Sequence, residues 1–263
     1  MTRAFALARD AGRRIADSVF VRRDVRAAIV PWVVARVIVV GSLALSRHVY
    51  AKIGAPPRPT ALRQGLFAWD GAFYRAIAEH GYHAIGRASL RFFPLVPLLA
   101  RLLGWILLGH AAAALIVVAN ASALAFGAFI HRLVIRETGD LAVARRAAWF
   151  GAVFPAAAVL VLGYAEATAM LLGVSMYLGL RTRRFGWAAG AGLLAGLCRP
   201  VGVLLIVPAL VEAARDWRTT DARERIVRVS AVAAPAIGAS LYLGWVGFEF
   251  GDVWLPISLQ NRS

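Results

Sequence analysis

The chain has 263 residues, 60% of them hydrophobic and only 17% charged, with a mean hydropathy of +0.67 and a formal net charge of +16. Soluble domains carry about 25% charged residues, so the composition excludes an ordinary soluble domain and points to a multi-pass membrane protein. A pI near 11.5 would suggest a nucleic-acid binder in a soluble chain. Here the basic residues, all arginine except Lys52, fall in short clusters between apolar runs rather than along one stripe with interleaved aromatics, so nucleic acid is not an expected partner. Cys198 stands alone, which excludes an internal disulfide and a cysteine-based metal cluster.

The first 26 residues hold seven arginines and three aspartates, and Ala27 to Ser46 is then apolar except for Arg36. A basic start before a span of about 20 residues predicts a cytoplasmic N-terminal segment (1–26) and an uncleaved first helix. From 48 to 90 runs a long polar segment with a proline cluster at 55–59, expected to lie outside. Within it, FAWDGAFYRAIAEHGY (67–82) predicts a helix from about Gly71 to His80. Trp69, Phe73, Ile77 and His80 would share one side, and Arg75 and Glu79 would pair four residues apart, as in an amphipathic helix lying on the membrane. Asp70 suits the N-cap of that helix, and it also suits a catalytic carboxylate; spacing alone leaves both open. His80 and His83 have no third ligand at a metal-binding spacing, so neither a metal nor another cofactor is expected.

After this loop, 92–109 is short for a span and carries Arg101, whereas Ala111 to Ile130 is span-length. Ala147 to Leu162 and Ala165 to Leu180 are the next expected spans, hinged at Gly163 and Tyr164. Phe185 to Val211 is apolar but interrupted by Cys198-Arg199-Pro200, the segment 212–228 contains five arginines, and Val229 to Phe248 is the last span. If every apolar block crossed once, the arginines at 132–146 would fall outside, against the positive-inside rule. If 92–109 and 185–211 are instead half-depth hairpins, every arginine-rich segment lies on one side, at the cost of two buried backbone breaks that can line a cavity. The quoted loop, Tyr164 to Glu166, Arg199 and Gly251-Asp252 then converge on the outer face. Arg36 and Arg101, deep in apolar runs, are explained by helix-to-helix pairing or snorkelling.

Four blocks in order, WDGAFYRAIAEHGY (69–82), RFFPLVPLL (91–99), FPAAAVLVLGYAEA (154–167) and GLLAGLCRPVG (192–202), resemble the GPI mannosyltransferase II family and its bacterial relatives, within the GT-C lipid-phosphate-sugar-dependent glycosyltransferases. The Trp69-Asp70 pair is the most specific element. The resemblance implies an all-α, polytopic transmembrane helical bundle of GT-C type in the plasma membrane, with an amphipathic-helix outer loop after the first span. It implies a mannosyltransferase drawing on a polyprenyl-phosphate-mannose donor through an acid in the first outer loop, which only Asp70 matches. Tyr164 and Glu166 fall on the family's Tyr-x-Glu turn, and Arg199 on its Arg after the broken helix. The family's pattern continues through several further spans after the Gly-Asp block, so 27–263 is expected to be the N-terminal part of a longer transferase domain.

The chemistry makes separate sense of these residue types. A carboxylate beside the acceptor hydroxyl takes its proton as an oxocarbenium-like centre is attacked, a role for Asp70. The departing polyprenyl phosphate needs cations, for which Arg91 and Arg199 are candidates because guanidinium binds phosphate oxygens in bidentate fashion. Glu166, bordering a span, fits either a functional site or an ion pair. The competing readings are a transporter or flippase, which would use broken helices and buried charges in the same way, and an inactive partner subunit.

Overall fold

The computed structural model describes residues 2–53 and 59–260, with side chains from Arg22 onward. The arginines of the first 21 residues and most of the proline cluster (55–58) lie outside the described side chains. Among the described residues the fold is all-helical, and three helices are long and apolar enough to cross a membrane: Arg22–Ile53, Ala111–Thr138 and Ala222–Phe250.

The first of these belongs to α1 (Thr2–Ile53), which extends well beyond the 27–46 span on both sides. The following segment folds as short helices α2 (Thr60–Gln64), α3 (Asp70–His80) and α4 (Tyr82–Ile85). A half-length helix, α5 (Leu95–Ile106), turns sharply into α6 (Ala111–Thr138), the two packing antiparallel as a hairpin. Helix α7 (Leu141–Val153) starts at Asp140, whose carboxylate accepts from the Ala142 and Val143 amides at 2.7 and 3.1 Å. This cap satisfies two of the four donors that every helix start leaves open.

The expected span Ala147 to Leu162 is not one helix. Phe154 precedes Pro155, a position that disfavours the α region; it is extended (φ −54°, ψ 139°), and the chain continues as a 3-10 turn, Pro155–Leu160. Thirteen α-helical residues rise about 20 Å and six in 3-10 geometry about 12 Å, so the stretch covers a membrane's thickness only in two pieces. The break frees backbone carbonyls in a buried place, and two polar side chains take them up. Arg36 donates to Leu160 O (3.2 Å) and to Asn120 Oδ1 (2.8 Å), while Asn120 donates to Val161 O (3.2 Å). Arg36 therefore does pair between helices, and it does so by repairing a backbone break.

The chain returns in α8 (Glu166–Arg181), then rises in α9 (Phe185–Cys198) and breaks at Arg199-Pro200. It comes back through a 3-10 turn, Pro200–Leu205, and α10 (Ile206–Ala214). The long α11 (Ala222–Phe250) and the short α12 (Leu255–Ser258) complete the fold. The closest helix pair is α9 with α11: a Cβ on Gly196 would run into the Pro235 carbonyl, and one on Gly238 into the Leu193 carbonyl. Small residues are what let these two backbones touch.

Ion pairs gather the arginine-rich segments at one end of the bundle. Asp24 meets Arg132 (2.8 Å), Arg181 bridges Glu137 (2.8 Å) and Glu212 (3.0 Å), and Arg183 meets Asp216 (2.5 Å). Buried Arg228 near the start of α11 donates to Glu224 one turn earlier (2.6 Å) and ties α11 to the end of α10 through the Ala213 carbonyl (3.1 Å). Segments 185–214 thus form a hairpin whose two ends lie with the arginines and whose Arg199 tip lies at the opposite end, beside α3 and the 82–92 loop.

Candidate functional site

At that opposite end an open cleft of about 290 Å³ is lined by Asp70, Tyr74, Arg91, Arg199 and Gln260, with Phe92, Phe93, Cys198 and Pro200 among its walls. Three of the six residues singled out from the sequence, Asp70, Arg91 and Arg199, come together here from segments far apart in the chain. Each is held by its own device.

Asp70 is the first residue of α3, and the N-cap position is occupied by Trp69, whose side chain makes no capping bond. The cap reading of Asp70 therefore fails: its side chain sits one position too far along to bind the second or third amide in the usual way. Trp69 has φ 51° and is 67% exposed, so it stands at the lip of the site rather than in it. The turn before Asp70 is pinned from below by the 163–164 hinge. The Gly163 amide donates to Leu66 O at 2.9 Å, and the Tyr164 hydroxyl donates to Ala68 O at 2.9 Å. Tyr164 is buried; burial first, and the neighbouring Asp70 second, push its phenol up to about 12, so it stays a neutral donor. Tyr164 thus holds the turn that carries Asp70.

Arg91 is fixed through its two neighbours. The Tyr82 hydroxyl donates to Phe92 O at 2.7 Å and the Tyr242 hydroxyl to Leu90 O at 2.7 Å, both from buried positions. Its guanidinium lies 5.0 Å from the centres of both the Phe73 and Phe92 rings, which stack on one another at 4.8 Å. The Arg91 Nε is buried without a hydrogen-bond partner.

Arg199 takes an extended conformation (φ −156°, ψ 152°) because Pro200 follows it, which swings it out of the α9 axis. One of its nitrogens bonds Glu166 Oε1 at the start of α8, so the ion-pair reading of Glu166 holds, while Glu166 Oε2 is buried without a partner. Glu166 reaches the cleft only through Arg199.

The face of α3 differs from the expected one. Its buried residues are Gly71, Tyr74, Ile77 and Ala78, so it docks on α5 and α6 and does not present a Trp69–Phe73–Ile77–His80 stripe. Arg101 donates to Ile77 O and Ala78 O at 3.0 Å each, adding to the Gly81 amide that already caps Ile77 O at the end of α3. Arg75 pairs with Glu79 at 3.0 Å as the spacing predicts, and His83 pairs with Glu249 at 3.0 Å. Of the cleft residues that sequence reasoning missed, Tyr74 carried a signal, four residues after Asp70 on the same helix face. Gln260 carried none, since only the tertiary fold brings it in. Among the described residues no group of three or more His, Cys, Asp or Glu could hold a metal ion.

Chemically, the cleft offers one carboxylate, two guanidiniums and aromatic walls, a set suited to an anion with an adjoining proton acceptor. No family model, no curated protein and no solved structure matches this chain.

Proposed function

We propose that this chain is an integral-membrane glycosyltransferase of GT-C type, moving a sugar from a polyprenyl-phosphate donor to an acceptor hydroxyl. The observation that carries the reading is the convergence of Asp70, Arg91 and Arg199 on one cleft, at the end of the bundle away from the clustered arginines. The resemblance of the four sequence blocks supplies mannose as the sugar. By the positive-inside rule the arginine-rich end would face the cytoplasm and the cleft the outside, and the resemblance supplies the plasma membrane.

In this reading the acceptor oxygen attacks the anomeric carbon from the face opposite the phosphate. The new C–O bond forms as the C–O bond to phosphate breaks, the electron pair leaves on polyprenyl phosphate, and Asp70 takes the hydroxyl proton. A single displacement of this kind inverts the anomeric centre. Arg91, with an unpartnered Nε and a guanidinium packed against two rings, and Arg199 stabilise the charge that grows on the phosphate.

The test is transfer from a labelled polyprenyl-phosphate-mannose donor by membranes containing the longest natural form of the chain. Asp70→Asn keeps the size of the side chain, and loss of a general base lowers turnover by about 100-fold to 10,000-fold while donor binding is retained. Glu79→Gln, which removes a charge from the same helix, leaves transfer unchanged. Near-wild-type transfer by Asp70→Asn at matched expression would remove Asp70 from the chemistry.

A further inference from the structure

The arginine-rich end holds a second built cavity that sugar transfer does not use. His131 is fully buried (0% exposed), and its Nδ1 lies 2.8 Å from Asp24 Oδ1, whose other oxygen accepts from Arg132. The carboxylate fixes Nδ1 as the protonated nitrogen, so Nε2 is the atom left to serve a ligand, and it has no hydrogen-bond partner. His131 lines a groove of about 670 Å³ between α1, α6 and α7. Arginines at 22, 23, 26 and 145 line the same groove, and no carboxylate does; Asp24 stands behind the imidazole.

The groove has an apolar half as well, made by Val30, Leu141 and Trp149. It is flanked by outward-facing apolar side chains on the helices that form it, Val37 (66% exposed) on α1 and Phe150 (65% exposed) on α7. A soluble anion would have no use for these surfaces. A phospholipid would: its phosphate meets the guanidiniums, its glycerol backbone lies against Trp149, and its chains run along α1 and α7. With Nδ1 donating to Asp24, Nε2 is the acceptor of the ring and suits a hydroxyl. A head group that carries both a phosphodiester and a hydroxyl suits the guanidiniums and the imidazole together.

We propose that this groove binds the head group of an anionic phospholipid with phosphatidylglycerol chemistry, seated between α1 and α7 at the arginine-rich end. The site is independent of the sugar-transfer reading, since it shares no residue with the cleft at the other end.

The full chain, purified in detergent micelles, is titrated with phosphatidylglycerol, phosphatidylcholine or soluble glycerol 3-phosphate, and bound lipid is counted by native mass spectrometry. The expected result is a retained phosphatidylglycerol molecule, with phosphatidylcholine at least about tenfold weaker. Arg26→Gln with Arg145→Gln, both at exposed positions, weakens phosphatidylglycerol about tenfold or more. Arg218→Gln with Arg223→Gln removes the same charge from two exposed positions at the same end and leaves binding as in the wild type. His131→Gln keeps a polar group but misplaces it and weakens binding as well. The proposal is overturned if phosphatidylcholine binds equally, if the control pair loses as much as the groove pair, or if glycerol 3-phosphate displaces the lipid at equal concentration.

Discussion

The Glu166–Arg199 pair separates stability from ligand binding in one experiment. Its side chains are 23% and 33% exposed, between the fully buried case, where removing one partner costs about 3–5 kcal/mol, and the exposed case, worth about 0–1 kcal/mol. Glu166 Oε2 has no other partner, so most of what the carboxylate gains comes through Arg199. Glu166→Gln should cost roughly 2 kcal/mol, the scale of a hydrogen bond between charged groups, and lower the melting temperature by about 4–8 °C. A double-mutant cycle with Arg199→Gln should give a coupling of about 1–2 kcal/mol, measured by thermal unfolding in micelles followed by tryptophan fluorescence. The effect on an anion has the opposite sign. Asp70 and Glu166 formally balance Arg91 and Arg199, so Glu166→Gln leaves the site with one net positive charge and a guanidinium released from its partner. Affinity for a polyprenyl phosphate, titrated into the same micelles, should rise about fivefold to tenfold, whereas Arg199→Gln lowers it. Additive stabilities, with a coupling below about 0.5 kcal/mol, would refute the pair as a structural tie. Weaker phosphate binding in Glu166→Gln would refute the idea that Glu166 competes with the ligand for Arg199.

Single cysteines at Thr60, Thr138 and Thr219, all at exposed positions, should separate on intact cells treated with an impermeant thiol reagent: Thr60 labelled, the other two not. Cys198 is fully buried and should stay silent in every variant; labelling at Thr138 or Thr219 would invert the proposed orientation. Gly196→Ala drives a methyl into the Pro235 carbonyl and should cost about 1–3 kcal/mol or abolish folding. Gly190→Ala on the same helix meets nothing within 4 Å and should gain a few tenths of a kcal/mol up to about 1, the two compared by melting temperature. Tyr164→Phe removes one of two hydrogen bonds to the buried Ala68 carbonyl, which keeps the Gly71 amide, so it should cost about 0.5–1.5 kcal/mol and slow transfer by loosening the turn that carries Asp70; unchanged transfer would show that the turn holds without it.

The sequence was most legible where a strong local rule acts. The arginine clusters predicted a common end, where among the described residues ion pairs gather Arg132, Arg181 and Arg183, and the Cys198-Arg199-Pro200 break was visible because the residue before a proline avoids the helix. The same rule acts at Phe154-Pro155, where the length of an apolar run outweighed it in the reading and a continuous span was expected. The face of α3 was misjudged because an interfacial helix and one docked on a bundle share the same composition; only contact with α5 and α6 selects Tyr74, Ile77 and Ala78 for burial. Arg91 could be named from charge and position, and Asp70 and Arg199 from these together with the family resemblance. The tyrosines that hold them could not, because Tyr82 and Tyr242 act on carbonyls ten and 152 residues away and leave no periodic trace.

A charged side chain within an apolar bundle is tolerated when it finds partners, and the partners sort these residues by what they do. Arg36 ends on the Leu160 carbonyl and Asn120, and Arg101 ends on the Ile77 and Ala78 carbonyls; both are committed to backbone carbonyls beside a break or at a helix end. Among the described residues five buried side-chain polar atoms lack a hydrogen bond, and they are not scattered evenly. Arg91 Nε and Glu166 Oε2 lie at the cleft, His131 Nε2 and Arg132 Nη2 at the Asp24 cluster, and the fifth, Arg225 Nε, belongs to a side chain packed over Trp217. Leaving such an atom unpaired costs about 1–3 kcal/mol, a penalty that a fold meets only where something else completes the bond. Two of the five, Arg91 Nε and His131 Nε2, belong to residues that line the cleft and the groove. By the same accounting Arg36 and Arg101 are committed to backbone carbonyls, whereas the cleft and the groove are the two places proposed above as anion sites.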